Sequence, residues 1–172
     1  MRLENMKCVV TGGASGIGAA TVRRFVSERA DVCILDRDLV SAERLASECG
    51  GETFALELDV RQETAVRRAA ERVLSRWGVI DVLVNTAGSE LNKAYDETTM
   101  DEWDRVLDTD LKGPWLLCKY FVPSMVEHGA GSVINVSSLN GLVGFPLSTA
   151  YGSAKGGLVV FTKDMAIELA TS

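Results

Sequence analysis

Short apolar runs, each stopped by glycine, aspartate, asparagine or serine, alternate with longer amphipathic stretches along almost the whole chain. The runs cover 7–11, 31–35, 53–58, 80–85 and 132–137, and stretches with helical spacing cover 17–29, 39–49, 63–77, 100–126 and 150–170. The runs lack the clean apolar–polar alternation of a half-exposed strand, so they predict strands buried on both faces. Strands of that kind, separated by helices, predict a parallel sheet covered on both sides: a doubly wound α/β fold. Ligands of such sheets bind beyond the carboxyl ends of the strands. Gly12, Gly16, Gly18, Asp36, Asp59, Asn85, Gly88, Ser137 and Ser138 all follow predicted strands. A bend is expected near Gly113-Pro114, inside the fourth helical stretch.

The chain has 172 residues, with no repeat, low-complexity tract or linker, so one domain over 1–172 is expected. Its formal charge of −6 argues against a nucleic-acid partner, which needs a basic face. No apolar run approaches the roughly 20 residues of a membrane span. The first residues carry no apolar signal region, and a cytoplasmic location is expected. Cys8, Cys33, Cys49 and Cys118 are widely spaced and read as reduced thiols. His128 is the single histidine, which excludes a multi-histidine metal site, and no metal is expected. It precedes Gly129 and reads as a helix-end residue.

Thr11-Gly12-Gly13-Ala14-Ser15-Gly16-Ile17-Gly18 joins the first strand to the first helix. Glycine permits positive φ and close backbone approach, and the helix amino terminus offers free N–H groups to a pyrophosphate. Gly12, Ser15, Gly16, Ile17 and Gly18 are therefore candidate contacts of a dinucleotide, in a Rossmann-type sheet; a purely structural glycine turn is the alternative. Asp36 ends the second strand, where a carboxylate can accept both adenosine ribose hydroxyls and repel a 2′-phosphate. That favours NAD over NADP, although the adjacent Arg37 could pair with a phosphate.

Tyr151 and Lys155 are four residues apart on a predicted helix and share a face. A free phenol has a pKa of roughly 10, and a nearby cation favours its phenolate. Ser138 lies upstream and could hydrogen-bond a substrate oxygen. The three side chains make a site for moving a proton on or off an alcohol or carbonyl oxygen.

With Gly12 to Gly18, Asp59-Val60, Asn85-Thr86-Ala87-Gly88, Ser138 and Tyr151 to Lys155 in this order, the chain resembles the short-chain dehydrogenase/reductase family. The resemblance implies strand order 3-2-1-4-5, with a nicotinamide dinucleotide across the strand ends. It implies that Asp59 and Val60 meet the adenine, that Asn85 and Gly88 back the adenosine ribose and help hold the sheet, that Ala87 is a further cofactor-binding residue, and that Ser138 orients the substrate oxygen. Tyr151 would be the general acid/base, and Lys155 would support it and hold the nicotinamide ribose. The implied reaction is hydride transfer between the cofactor and a small-molecule secondary alcohol or ketone. Alternatives are an NADP-dependent ketoreductase resembling the 3-oxoacyl carrier-protein type and a dinucleotide-binding module without turnover. Helices around 112–126 and 150–170 pair across a dimer in this family, so a homodimer or homotetramer is expected.

Three departures stand out. Thr86 replaces the family's usual second asparagine. Asp110 stands where the family usually carries asparagine, which makes it a candidate catalytic residue; a carboxylate near Lys155 would compete with the phenolate for the ammonium. The chain also stops shortly after the helix of Tyr151, so the usual last two strands and the substrate lid are expected to be missing, as in a partial sequence. Residues 89–100 and Leu139, Leu142, Val143, Phe145, Pro146 and Leu147 would line part of an apolar substrate pocket.

Overall fold

The computed structural model describes residues 1–170; Thr171 and Ser172, the last two residues of the expected domain, lie outside the described residues. Five strands, β1 (Lys7–Thr11), β2 (Asp31–Asp36), β3 (Phe54–Glu57), β4 (Val82–Asn85) and β5 (Ser132–Asn135), form one sheet in the order β3-β2-β1-β4-β5. Every pairing is parallel, and the expected order is met. The strand ends come level, with Thr11 beside Leu35 and Asn85, and Asn85 beside Asn135. The chain winds to one side of β1 through β2 and β3 and to the other through β4 and β5. The β1–β4 boundary is thus the switch point at which a crevice opens.

Alternate residues of each strand serve opposite cores. Val9, Cys33, Leu35 and Leu83 pack against α3 (Glu63–Trp77) and α5 (Gly113–His128), where Val66, Val73, Leu117 and Phe121 meet them. Cys8, Val10, Val32, Ile34, Val82 and Val84 face α1 (Gly16–Ser27) and α2 (Leu39–Cys49) through Val22, Ala42 and Leu45. Burial pushes the Cys8 and Cys118 thiols up to about 12, so they are inert core groups; all four cysteines are free. His128 closes α5 ahead of Gly129, whose φ of +77° ends the helix in the left-handed region.

The fourth helical stretch is interrupted close to the expected bend. It divides into α4 (Met100–Leu107), a π-helical turn over Asp108–Lys112, and α5. The irregularity ends directly before Gly113-Pro114 and takes the form of a π turn. Pro114 sits in the first turn of α5, where its missing N–H breaks no hydrogen bond. The Gly113 N–H reaches back five residues to the Asp108 carbonyl. A Cβ on Gly113 would lie 2.9 Å from Val60 Cγ2, so close packing on Val60 needs glycine there. The π turn carries Asp110 wholly into the interior. A short 3-10 turn, Leu139–Gly141, leads towards α6 (Thr149–Leu169), which carries Tyr151 and Lys155 in its first turns.

Candidate active site

A cavity of about 780 Å³ lies over the carboxyl ends of β1, β2, β4 and β5. Its floor is the glycine loop. Gly12 has φ +61° and approaches Ala87 so closely that a Cβ would fall 2.8 Å from that backbone. A Cβ on Gly18 would stand 2.2 Å from the Gly12 carbonyl oxygen, so α1 can start under this loop only with glycine there. Nothing fills the space above Gly16. Thr86 ties the loop to β4: its hydroxyl donates to the Thr11 carbonyl, and the Thr86 and Ala87 N–H groups donate to Thr11 Oγ1 at 3.2 and 3.3 Å. The bare helix start and the open backbone above it fit a pyrophosphate.

Asp36, Asp59 and Val60 line the adjoining wall. Both Asp36 carboxylate oxygens accept backbone N–H groups, from Ala14 in the glycine loop and from Asp38, each at 3.0 Å. Arg61 grips Asp59 through Nε and an Nη at 2.6 to 3.1 Å, and this contact holds the carboxyl below its usual range. Arg61, Arg37 and Arg105 also line the cavity. Sequence reasoning missed Arg61 and Arg105. Arg61 directly follows Asp59-Val60, and that adjacency was the available signal.

At the other end, Tyr151 and Lys155 lie side by side, with the Lys155 ammonium 5.6 Å from the Tyr151 ring centre. Lys155 Nζ donates to the Val136 carbonyl at 2.9 Å. It meets Asp110 Oδ1 at 3.0 Å, and the Ser89 N–H donates to Asp110 Oδ2 at 2.7 Å. Ser137 lines the cavity and donates to the Lys155 carbonyl.

Gly12, Ser15, Gly16, Ile17, Gly18, Asp36, Asp59, Val60, Ala87, Gly88, Asp110, Tyr151 and Lys155 are thus brought to one cavity. Ser138 and Asn85 do not line it. Ser138 caps the 3-10 turn, accepting the Asn140 N–H at 3.2 Å. Asn85 is buried and donates to Asn135 Oδ1 at 2.8 Å, which bonds β4 to β5 through their level ends. Asn135 in turn donates to Thr162 of α6.

The model of the short chain dehydrogenase family matches residues 7–172. The chain belongs to that family. It is 40% identical to the uncharacterized oxidoreductase YxbG of Bacillus subtilis (strain 168) over 98% of this chain and 63% of that protein. It is 36% identical to the 3-oxoacyl-(acyl-carrier-protein) reductase FabG of Thermotoga maritima, over 99% of this chain and 70% of that one. The chain therefore spans under two thirds of the first relative's length and somewhat more of the second's. A metagenomic short-chain oxidoreductase solved in complex with NADP superposes with a TM-score of 0.96 at 34% identity, over 99% of this chain and 79% of that chain. A short-chain dehydrogenase from Streptomyces avermitilis superposes at 0.94 with 32% identity, covering 98% of this chain and 62% of its own. Proteins of that family bind a nicotinamide dinucleotide, NAD or NADP.

Among the described residues no helix is long and apolar enough to cross a membrane. No group of three or more potential metal ligands occurs among them either.

Proposed function

We propose that this protein is an NAD-dependent dehydrogenase or carbonyl reductase acting on a secondary alcohol or ketone, with residues 1–172 forming one dinucleotide-binding domain. The observation that carries this reading is a single cavity with a glycine-loop helix start at one end and the Tyr151–Lys155 pair at the other. Gly12, Ser15, Gly16, Ile17 and Gly18 would hold the pyrophosphate, and Asp36, Asp59, Val60, Ala87 and Gly88 the adenosine. Asn85 would act from behind by bonding β4 to β5. A nicotinamide held there supplies or accepts the hydride.

Tyr151 gives its phenolic proton to a carbonyl oxygen in reduction and takes it from the alcohol in oxidation. Ser138 orients that oxygen, which requires its hydroxyl to turn from the Asn140 N–H towards the cavity. Lys155 holds the ribose and places positive charge beside the phenol. Apolar Leu142, Val143 and Phe145 beyond Ser138 suit an apolar or amphipathic substrate; all three are exposed.

Asp36 on the cavity wall supports NAD, since a carboxylate at the end of β2 would repel a 2′-phosphate. A second reading, an NADP-dependent ketoreductase, is supported by Arg37, Arg61 and Arg105 on the same wall and by the NADP-bound relative. Dissociation constants for NADH and NADPH decide between them: NADH should bind at least about tenfold tighter, and a preference for NADPH sinks the first reading. Tyr151→Phe should lower turnover by about 10²–10⁴-fold while leaving NADH affinity within a few-fold. Undiminished turnover would end the proposed role. A cytoplasmic homodimer or homotetramer paired through α5 and α6 completes the proposal, and light scattering measures its mass.

A further inference from the structure

Asp110 and Lys155 are the two buried charged side chains among the described residues, and they face each other. Asp110 has 0% of its surface exposed and Lys155 5%. Three separate segments meet at this carboxylate. The π turn supplies it, the loop after β4 donates the Ser89 N–H to Oδ2, and α6 brings the Lys155 ammonium to Oδ1. Gly88 makes the room, because a Cβ there would lie 3.0 Å from Oδ1.

Both neighbours of Asp110 are donors. A carboxylate has acceptors for both, whereas an amide has one oxygen and would turn its NH₂ towards either the N–H or the ammonium. The site is therefore built for an anion. We propose that Asp110 is a positioning residue of the hydride-transfer site: as the direct counter-ion of Lys155, it holds the ammonium against β5 and divides its charge with the Tyr151 phenol, restraining proton transfer at Tyr151. This rests on the assignment of Tyr151 as acid/base.

The Lys155 ammonium is then hydrogen-bonded to the Val136 carbonyl at 2.9 Å and lies at ion-pair distance, 3.0 Å, from Asp110 Oδ1, an oxygen with no aligned hydrogen-bond donor. Tyr151 and Lys155 of α6, Arg105 of α4 and Glu90 of the loop after β4 line the same cavity, with Asp59 and Arg61 on its far wall. Asp108 and Lys112, on the same π turn, pair with each other, and Lys119 of α5 is engaged with Glu63. Burial pushes the Asp110 carboxyl up, against the opposing pull of Lys155 and the Ser89 N–H. On acidification the carboxyl takes a proton and releases its restraint on Lys155.

The test is Asp110→Asn. Alcohol oxidation should run about threefold or more faster near neutral pH, and the rising limb of its pH–rate profile should move down by about one unit, because the ammonium then acts on the phenol alone. Melting temperature should fall by about 5 °C or more, since a buried ammonium loses its counter-ion. Equal or lower turnover with an unmoved limb overturns the restraint. An unchanged melting temperature overturns the ion pair. If Asp110→Asn does not fold, the double variant Asp110→Asn/Lys155→Met should recover stability by removing the orphaned charge, and failure to recover counts against the pair. Absence of hydride transfer from every alcohol in a panel would be a failure of the proposed function; the melting experiment still decides the ion pair.

Discussion

The two ends of the cavity are built differently. At the glycine-loop end, β1, β2 and β4 are buried almost throughout, and helices cover both faces. At the Tyr151 end, β5 alternates between exposed and half-buried residues, with Ile134 43% exposed. The first turns of α6 are buried at Ala150, Ala154, Lys155 and Leu158, yet Val160 and Ile167 further along are exposed. The glycine-loop end is thus held by apolar packing. The Tyr151 end relies more on polar ties: Lys155 to Val136 and Asp110, Ser137 to the Lys155 carbonyl, and Asn135 to Thr162. Packing tolerates few changes of shape but is indifferent to pH, whereas polar ties follow the ionisation of their members.

The largest effect expected from this contrast is at Gly18. Gly18→Ala drives a Cβ to 2.2 Å from the Gly12 carbonyl, so the loop or α1 must move. NADH affinity should fall about 100-fold or more, with a stability loss of about 1–3 kcal/mol by chemical denaturation. Wild-type affinity in this variant would mean that the loop does not hold the dinucleotide. Next comes packing itself. Leu83→Ala, at a fully buried site in β4, should cost about 2–5 kcal/mol, whereas Ile134→Ala in β5 should cost under about 1.5 kcal/mol. Equal losses in urea titrations would erase the difference between the two ends.

The sheet was legible because its signals are local. Each strand is a short apolar run, and each turn is marked by a glycine or a carboxylate at a fixed place. That Tyr151 and Lys155 share a helix face was legible from periodicity, but such a spacing is common on surface helices, and its weight as a site came from the glycine loop and the family resemblance. The strand order came from family resemblance, since five parallel strands of similar composition carry no order of their own. The π turn was not legible. It ends where Gly113 seats closely against Val60, a contact between segments far apart in the chain. Local sequence placed an interruption near Gly113-Pro114 but not its π form, and Pro114 itself is harmless in the first turn of a helix. The Arg61 clamp on Asp59 depends on how one turn folds back on itself, and the periodicity that locates helices and strands says nothing of that. The inward face of Asn85 follows from strand register, which sets it against Asn135.

The smallest effect sharpens the contrast from the polar side. The loop after β4 is fastened near the Tyr151 end: the Lys93 N–H donates to the Leu147 carbonyl, and Lys93 Nζ reaches Glu102 Oε2 at 2.9 Å. Glu102 also completes a capping box with Thr99 at the start of α4. Contacts from Lys93, then the Thr99 N–H, hold the Glu102 carboxyl at about 2, below its ordinary value of 4.5. A carboxyl lowered by folding adds stability that is fully present above its unfolded pKa and is lost as pH falls through its folded one. The window therefore runs from about pH 4.5 down to about 2. Glu102→Gln should consequently melt slightly below wild type at pH 7, and the gap should close as the pH approaches 2. Both side chains are about a third exposed, so water and salt screen the pair and the gap at pH 7 should be small and shrink in high salt. A gap that persists unchanged at acid pH would show that Glu102 acts through shape, and the fastening of this loop would then be packing, like that of the glycine-loop end.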